Sequence, residues 1–405
     1  VLPSGVRLVT ERMAEAQSVG VGVYVGVGGR DEDEPAVGSS HFLEHLLFKG
    51  TARRTARQIA EAIDATGGEM NAYTAREHTA FYVRLPARDL GLGLTILADV
   101  LAEPALRAPD VDAEREVILE ELAAAEDDPE DLVHMRLAEA VFPHHSLGRD
   151  VLGTVESISA LDRADIASFH TRWYRPANVV VAAVGLVEHD AVRDALAGFL
   201  ADTATGDVPE RVTPEVPPLD RVVTRYPGEQ AHVALGWRSL DQDDPDRYAL
   251  AFANYALGGG AASRLFQAVR EERGLAYSVW STTSLHSDSG SLTVYAATSP
   301  AKVAAVLAVV EDEVAGLLDG GITADEHAVA LGFLEGSLLL ALEDTASRMA
   351  RLGRSESSRG EVVAVDEHIA RLRAVTPDDV ERVLRRVLGG PRSLAAVGPF
   401  DDLPK

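Results

Sequence analysis

The order of structural elements in the first half of the chain is repeated in the second half. A strand over 19–27 is followed by a helix with His41, a hairpin over 70–85 and two helices over 90–102 and 111–127. The same order returns about 205–215 residues later, as expected for a duplicated domain. The later copies are a strand over 232–237, a helix over 248–257, strands over 276–283 and 291–298, and helices over 301–318 and 324–342.

This repeat constrains the fold class. Hairpins followed by pairs of helices differ from the strict strand–helix alternation of a doubly wound parallel sheet. We therefore expect an α+β protein with two similar domains, each a largely antiparallel β-sheet packed with helices.

A proline-rich segment separates the two halves. Residues 203–220 contain four prolines among Thr, Gly, Asp and Glu, with little apolar periodicity. That composition is typical of a linker. We expect an N-terminal domain over 1–202, a linker over 203–220 and a homologous C-terminal domain over 221–405, each long enough to bury its own core.

Charge and cysteine content exclude several kinds of function. The formal net charge is −26 and there is no cysteine. The acidic excess argues against nucleic acid and anionic membranes as partners, because both bind clustered Lys and Arg. The missing cysteines exclude a disulfide scaffold, a thiol nucleophile and a thiolate-bound zinc. A basic or extended polypeptide is a more plausible partner, and the alternative is that the charge only keeps a solvated surface soluble.

No segment suggests that the chain enters a membrane or is secreted. The longest apolar run, around 179–187, is far shorter than the about 20 residues of a membrane-spanning helix and suits a buried strand. No secretory signal is recognisable at Val1. We therefore expect a cytoplasmic protein.

The segment from His41 to His45 has the spacing of a metal site on a helix. Residues i and i+4 share a helix face, so His41 and His45 converge, with Glu44 beside them. Ser39 or Ser40 is the expected N-cap of this helix. Two imidazoles and a carboxylate suit a catalytic zinc, and His-x-x-Glu-His is the inverzincin pattern. The alternative is a helix with two partly buried histidines and a salt-bridging glutamate but no metal.

A third protein ligand has its best candidate in the helix over 111–127. Glu114 and Glu121 are two helical turns apart, so they share a face and flank the apolar residues Val117 and Ile118. A carboxylate on that buried side is costly without a cation. Glu121 is thus the expected ligand and Glu114 a partner that orients a ligand. The alternative is an ordinary acidic helix face.

These residues resemble the pitrilysin family of inverzincin metallopeptidases, close to the bacterial peptidases that are similar to the mitochondrial processing peptidase. The family motif is followed by a Glu about 76 residues further on, the position of Glu121, with another Glu seven residues earlier, the position of Glu114. The resemblance implies a zinc endopeptidase. His41, His45 and Glu121 would bind Zn²⁺, and Glu44 would act as the general base.

Two further segments resemble substrate-binding parts of the family. The stretch Gly67-Gly68-Glu69-Met70-Asn71-Ala72-Tyr73-Thr74 resembles its edge strand, in which Asn71 and Ala72 hold an extended peptide as an added strand. Without the family, Asn71 is equally typical of a turn. Gly258, Gly259 and Gly260 resemble its glycine-rich, substrate-binding loop, although three glycines could simply end a helix.

Arg270 and Tyr277 resemble a pair that acts on the scissile peptide in this family. The resemblance implies that Tyr277 donates a hydrogen bond to the oxyanion and that Arg270 binds a substrate carbonyl. From the residues alone, Arg270 is a solvated helix residue and Tyr277 an aromatic at a strand edge. In the family, two two-domain units close like a clamshell. The resemblance thus implies a homodimer with shared active sites, in which this pair completes the partner's zinc site.

The resemblance leads to one expected activity and leaves two alternatives. We expect cleavage of unfolded or oligopeptide substrates inside a closed chamber. A non-catalytic clamshell subunit that binds polypeptide or supports assembly is the first alternative. A zinc enzyme that acts on a non-peptide amide is the second.

Overall fold

The computed structural model describes residues 1–403. These residues form two compact units, each with its own sheet. The first unit contains Val1–Leu122, Asp150–Glu210 and Leu339–Val362. The second unit contains Ala123–Arg149, Arg211–Leu338 and the described chain from Val363 onward.

The strands of the described chain fall equally into the two sheets. They are β1 (Arg7–Arg12), β2 (Ser18–Val25), β3 (Glu69–Thr74), β4 (Thr79–Pro86), β5 (Val179–Gly185), β6 (Arg221–Arg225), β7 (Ala231–Ser239), β8 (Ala276–Leu285), β9 (Gly290–Thr298) and β10 (Arg392–Gly398). The first sheet has the order β1-β5-β2-β4-β3 and the second the order β6-β10-β7-β9-β8.

Both sheets have the same pairing pattern. β1 pairs with β5 and β6 with β10 in parallel, and every other pair in the two sheets is antiparallel. Each position in the first sheet therefore has a counterpart in the second. The prediction of a duplicated α+β domain with largely antiparallel sheets is confirmed.

The α-helices of the described chain surround these sheets. They are α1 (Ser39–Leu47), α2 (Ala56–Asp64), α3 (Leu90–Ala102), α4 (Ala108–Asp127), α5 (Pro129–Val141), α6 (Val155–Ala160), α7 (Arg163–Trp173), α8 (His189–Ala195), α9 (Arg247–Gly258), α10 (Val303–Gly320), α11 (Ala324–Ala341), α12 (Thr345–Arg359), α13 (Val365–Arg373) and α14 (Pro377–Leu388). None of them is both long and apolar enough to cross a membrane.

The first sheet is covered on both faces. One face packs on the main core of the unit, which includes Phe42 and Phe81. The other face packs on α12, where the Tyr24 hydroxyl lies 3.2 Å from the Met349 sulfur. The alternation of Val and Gly in β2 explains this close contact, because a Cβ on Gly22 would lie 2.4 Å from that sulfur.

The second sheet is packed in the same way by a helix from the other half of the sequence. α5 covers β7 and β10 through the buried residues Leu132, Val133 and Leu137. α12, from the second half, covers the first sheet. Each half of the sequence thus contributes one helix to the unit built mainly from the other half. The two compact units meet along the chain at 210/211, inside the expected linker of 203–220, and also where α5 and α12 pass to the other unit.

Candidate active site

The helix α1 begins at a buried carboxylate. Gly38 is its N-cap, in the left-handed region with φ of 92°. The Glu32 side chain accepts hydrogen bonds from the backbone N–H groups of Gly38 (2.7 Å) and Ser40 (2.6 Å). The expectation that Ser39 or Ser40 caps the helix is wrong, because this acidic side chain, six residues upstream, satisfies the free N–H groups instead.

Apolar residues fix the orientation of α1. Phe42, Leu43, Leu46 and Leu47 are at most 1% exposed and pack into the core of the first unit. Residues between them in the helical period point the other way. His41, Glu44 and His45 occupy those positions, so packing of the apolar face presents all three at one surface.

Three side chains converge on one point at this surface. The Nε2 atoms of His41 and His45 are 3.2 Å apart, and Glu121 Oε2 lies 3.6 Å from each. Within the described residues, these three form the one group of His, Asp and Glu atoms close enough together to hold a metal ion. α1 provides the two imidazoles and α4 provides the carboxylate.

This donor set fits a zinc ion. Burial lowers the pKa of the His41 imidazole to about 4, and the neighbouring His45 adds to this shift. A neutral imidazole keeps a lone pair for a metal, and two imidazoles with one carboxylate leave a fourth position open, as catalytic zinc sites do.

Glu114 lies behind this group of two histidines and a glutamate. It is buried on α4, and its Oε2 lies 3.1 Å from His45 Nδ1. Its other oxygen lies 2.5 Å from Lys49 Nζ. The Nδ1 of His41, in contrast, is buried and has no hydrogen-bond partner within residues 1–403. Of the two histidines, His45 is thus the one oriented by a carboxylate.

The side of α4 that faces the site differs in part from the expected one. Val111, Ile118 and Leu122 are buried in line with Glu114. Val117 is 43% exposed, so its expected place on the buried face is wrong. A turn of 100° per residue carries Val117 just past the edge of the buried stripe.

Glu44 is held by a residue of the hairpin. Thr74 Oγ1, at the end of β3, donates a hydrogen bond of 2.5 Å to Glu44 Oε2. Burial raises the pKa of the Glu44 carboxyl, and this hydrogen bond acts in the opposite direction. The sequence alone indicates no role for Thr74, Lys49 or Glu32, because each of them bonds to a group in another segment of the chain.

Asn71 and Ala72 lie in β3, which is the edge strand of the first sheet and pairs there only with β4. The backbone N–H of Ala72 donates to Asn71 Oδ1 at 2.8 Å. The Asn71 side chain thereby covers one donor of the open edge. Such an edge is a template for an added strand.

The glycine-rich segment of the second unit begins at Gly258, the last residue of α9, and is tightly packed. A Cβ on Gly258 would lie 2.7 Å from the Ser281 backbone nitrogen, and one on Gly260 would lie 2.8 Å from the Tyr255 ring. Gly259 would meet the Tyr255 backbone at 2.8 Å. A larger residue at Gly258 would require movement of β8, and one at Gly259 or Gly260 would require movement at Tyr255 of α9.

Arg270 and Tyr277 lie side by side in the second unit. The Arg270 guanidinium carbon is 4.2 Å from the centre of the Tyr277 ring, and Nη1 donates to the Tyr277 carbonyl at 3.2 Å. Phe266 packs against the same guanidinium at 4.7 Å. Tyr277 is 78% exposed, so its hydroxyl is available to a ligand.

Comparison with known families identifies the chain. The sequence model of the family described as insulinase (peptidase family M16) matches residues 7–155. The sequence model described as peptidase M16 inactive domain matches residues 160–332. A protein named uncharacterized zinc protease from Streptomyces coelicolor is 46% identical over 99% of this chain and 89% of its own length. A protein named uncharacterized zinc protease YmxG from Bacillus subtilis is 35% identical over 99% of this chain and 98% of its own length. The chain belongs to peptidase family M16.

Solved structures agree with this fold. A crystal structure of a peptidase M16 inactive domain from Pseudomonas fluorescens matches with a TM-score of 0.92 at 22% identity, over 99% of this chain and 97% of that one. A protease from Helicobacter pylori matches with a TM-score of 0.90 at 20% identity, over 98% of both chains. The resemblance to the pitrilysin family and the assignment of zinc as cofactor are confirmed.

Proposed function

We propose that the protein is a zinc-dependent endopeptidase that hydrolyses unfolded or oligopeptide substrates. One observation carries the proposal: the two histidines of α1 and Glu121 converge beside Glu44, which is hydrogen-bonded to the end of an open edge strand. A non-catalytic subunit would have no need for both parts of this arrangement together.

His41, His45 and Glu121 would hold the zinc ion. When bound, zinc supplies a Lewis acid that polarises a peptide carbonyl and lowers the pKa of water. Glu114 keeps His45 in the orientation in which Nε2 faces the other two ligands, because its Oε2 accepts a hydrogen bond from the Nδ1–H group of His45. Lys49 Nζ in turn lies 2.5 Å from the other oxygen of Glu114 and so helps to fix the position of that side chain.

Glu44 is the proposed general base and acid. Thr74 occupies Oε2, which leaves Oε1 to take a proton from the attacking water. The same oxygen then gives that proton to the nitrogen of the leaving amine. A pKa raised by burial suits both steps, because the carboxylate must first accept and then release the proton.

The free edge of β3 is the proposed substrate-binding element. Main-chain hydrogen bonds to an added strand are tolerant of sequence and need several consecutive residues. Asn71 and Ala72 lie in the middle of this edge, two to three residues from Thr74 and therefore from Glu44. This arrangement favours oligopeptides over single-residue amides as substrates.

Arg270 and Tyr277 are proposed to complete the site of a partner subunit in a homodimer. Both offer hydrogen-bond donors, and a tyrosine hydroxyl is a suitable partner for a developing oxyanion. The glycine-rich segment over 258–260 is proposed to contact the substrate backbone, as the family resemblance implies. These roles follow the family pattern described above.

The activity is tested with quenched fluorescent peptides of about 5 to 30 residues, since strand addition requires several residues. We expect chelation to abolish cleavage, zinc to restore it, and single-residue amides to be poor substrates. A native protein that binds no zinc and cleaves none of the peptides would support the non-catalytic subunit instead. Efficient turnover of small amides would point to the non-peptide amidase.

The shared active site is tested by mixing two inactive variants, Glu44→Gln and Tyr277→Phe. Subunits that exchange would form one site with both intact residues, so part of the activity should return. Mixed subunits of the same variant serve as the control. Exchange without any recovery would show that each chain completes its own site.

A further inference from the structure

Thr74 contacts the general base proposed above through its side chain while its backbone belongs to the open edge. It is the last residue of β3, and its hydroxyl donates to Glu44 Oε2. In an antiparallel strand, the N–H and C=O of one residue point to the same side, and neighbouring residues alternate. The direction of the Thr74 backbone therefore follows from its neighbours.

Two hydrogen bonds define that direction. Ala75 N–H donates to His78 O at 2.8 Å, across the hairpin towards β4. Ala72 N–H bonds instead to the side chain of Asn71, on the side away from β4. Thr74 alternates with Ala75 and shares the side of Ala72. Its backbone N–H and C=O hence lie on the free edge, where a substrate strand would add.

The second unit contains a corresponding hydrogen bond between a hydroxyl of the edge strand and a helix side chain, but that side chain is an amide and not a carboxylate. On α9, Phe252 and Leu257 hold the fully buried positions that Phe42 and Leu47 hold on α1. Asn254 then takes the place of Glu44, and Tyr255 that of His45.

The partner of Asn254 is a hydroxyl of the counterpart edge strand. Ser281 Oγ, on β8, lies 2.9 Å from Asn254 Oδ1 and 3.0 Å from its carbonyl oxygen. A hydroxyl thus joins the helix to the edge strand in both units. Only in the first unit does it bond to a carboxylate, so the second unit is an internal control for a purely structural contribution.

We propose that Thr74 is a positioning residue that orients the Glu44 carboxylate relative to the substrate strand. The inference rests on the endopeptidase activity proposed above. A carboxylate at the end of a flexible side chain rotates freely unless one oxygen is bonded. Thr74 bonds Oε2 and directs Oε1 to the attacking water. Since the backbone of Thr74 would bond to the substrate, the base and the peptide share one fixed reference point.

The test compares Thr74→Val, Thr74→Ala and Thr74→Ser with Ser281→Ala. Val and Ala remove the hydroxyl, and Ser keeps it. A misplacement of about 1 Å can cost about 100-fold in rate, so we expect kcat to fall about 10–100-fold in the first two variants. KM should change less than about threefold, because the backbone edge is intact. Thr74→Ser and Ser281→Ala should keep most of the wild-type kcat.

Two readouts separate positioning from damage to the site. Zinc content of each variant should equal that of the wild type. Affinity of the zinc-free protein for a labelled peptide should also be unchanged in Thr74→Val. Loss of zinc or of peptide binding in that variant would overturn the proposal, and so would an unchanged kcat or an equal loss in Ser281→Ala. A wild-type protein that binds zinc but cleaves no peptide would overturn the proposed activity itself.

Discussion

Replacement of Glu114 by Gln tests whether the residues behind the metal ligands matter for zinc. One oxygen of Glu114 accepts a hydrogen bond from His45, and the other oxygen contacts the Lys49 ammonium group. A carboxylate can serve both donors, whereas an amide offers one acceptor and one donor. In Glu114→Gln, either the His45 N–H or the Lys49 ammonium faces an NH₂ group and loses its acceptor.

The expected loss of zinc affinity follows from the number of metal ligands that lose an orienting partner. His41 and Glu121 keep their positions, so the site loses the orientation of one ligand in three. Loss of such a partner weakens metal binding about 10–100-fold, equivalent to about 1.4–2.8 kcal/mol. The cost in folding stability should be smaller, because the Lys49 side chain is 39% exposed and can turn to water.

Zinc affinity is measured by competition with a chromophoric chelator at neutral pH. Glu116→Gln is the matched control, because it makes the same change of charge on an exposed side chain of the same helix. We expect Glu116→Gln to bind zinc as the wild type does. An affinity of Glu114→Gln within about twofold of the wild type, or an equal loss in both variants, would refute the role of Glu114.

Further predictions concern stability and are measured as shifts in urea unfolding. Gly258→Ala should lower the free energy of unfolding by about 1–3 kcal/mol, since its Cβ would lie 2.7 Å from a backbone nitrogen. Gly332 has open space around it, so Gly332→Ala should raise the free energy of unfolding by about 0.5–1 kcal/mol. Equal effects would contradict this reasoning. Leu352→Ala on α12 should lower the free energy of unfolding by about 2–5 kcal/mol. Leu340 is 72% exposed, so Leu340→Ala should lower it by less than about 0.5 kcal/mol. An equally small effect of Leu352→Ala would contradict the packing of α12 on the first sheet. Burial lowers the pKa of His170, so below about pH 6.5 the unfolded chain binds a proton that the folded chain excludes. Stability should therefore fall as the pH drops below that value, and His170→Gln should reduce the slope; an unchanged slope would contradict this.

Much of the fold and of the metal centre could be predicted because the signals are local. The spacing of His41 and His45 places both on one helix face whatever the rest of the fold does. The hairpin of β3 and β4 alternates with period two, and α3 follows it at the predicted bounds. The repeat of element order also predicted that the two sheets would correspond.

The exchange of helices between the halves could not be predicted in this way. The apolar residues of α5 and α12 indicate that one face of each is buried, but not against which sheet. Both helices directly precede elements of their own half, so proximity along the chain favours the wrong sheet. The partner is decided by packing, such as the space that Gly22 leaves for Met349.

The polar partners of the site were equally inaccessible from the sequence. Glu32 lies in an irregular loop and caps α1 only because the chain folds back there. Lys49 and Thr74 come from different elements than the groups they bond. Hydrogen bonds between distant segments leave no periodic signal, so they become visible only in three dimensions.

The most direct test of the account measures zinc content and peptide turnover together, in the wild type and in Glu44→Gln. Both proteins should bind about one zinc per chain, because Glu44 is not among the three ligands. Peptide hydrolysis should fall about 100–10,000-fold in the variant, the usual contribution of a general base. Equal turnover in both proteins, or a wild type that contains zinc and cleaves no peptide, would contradict the account.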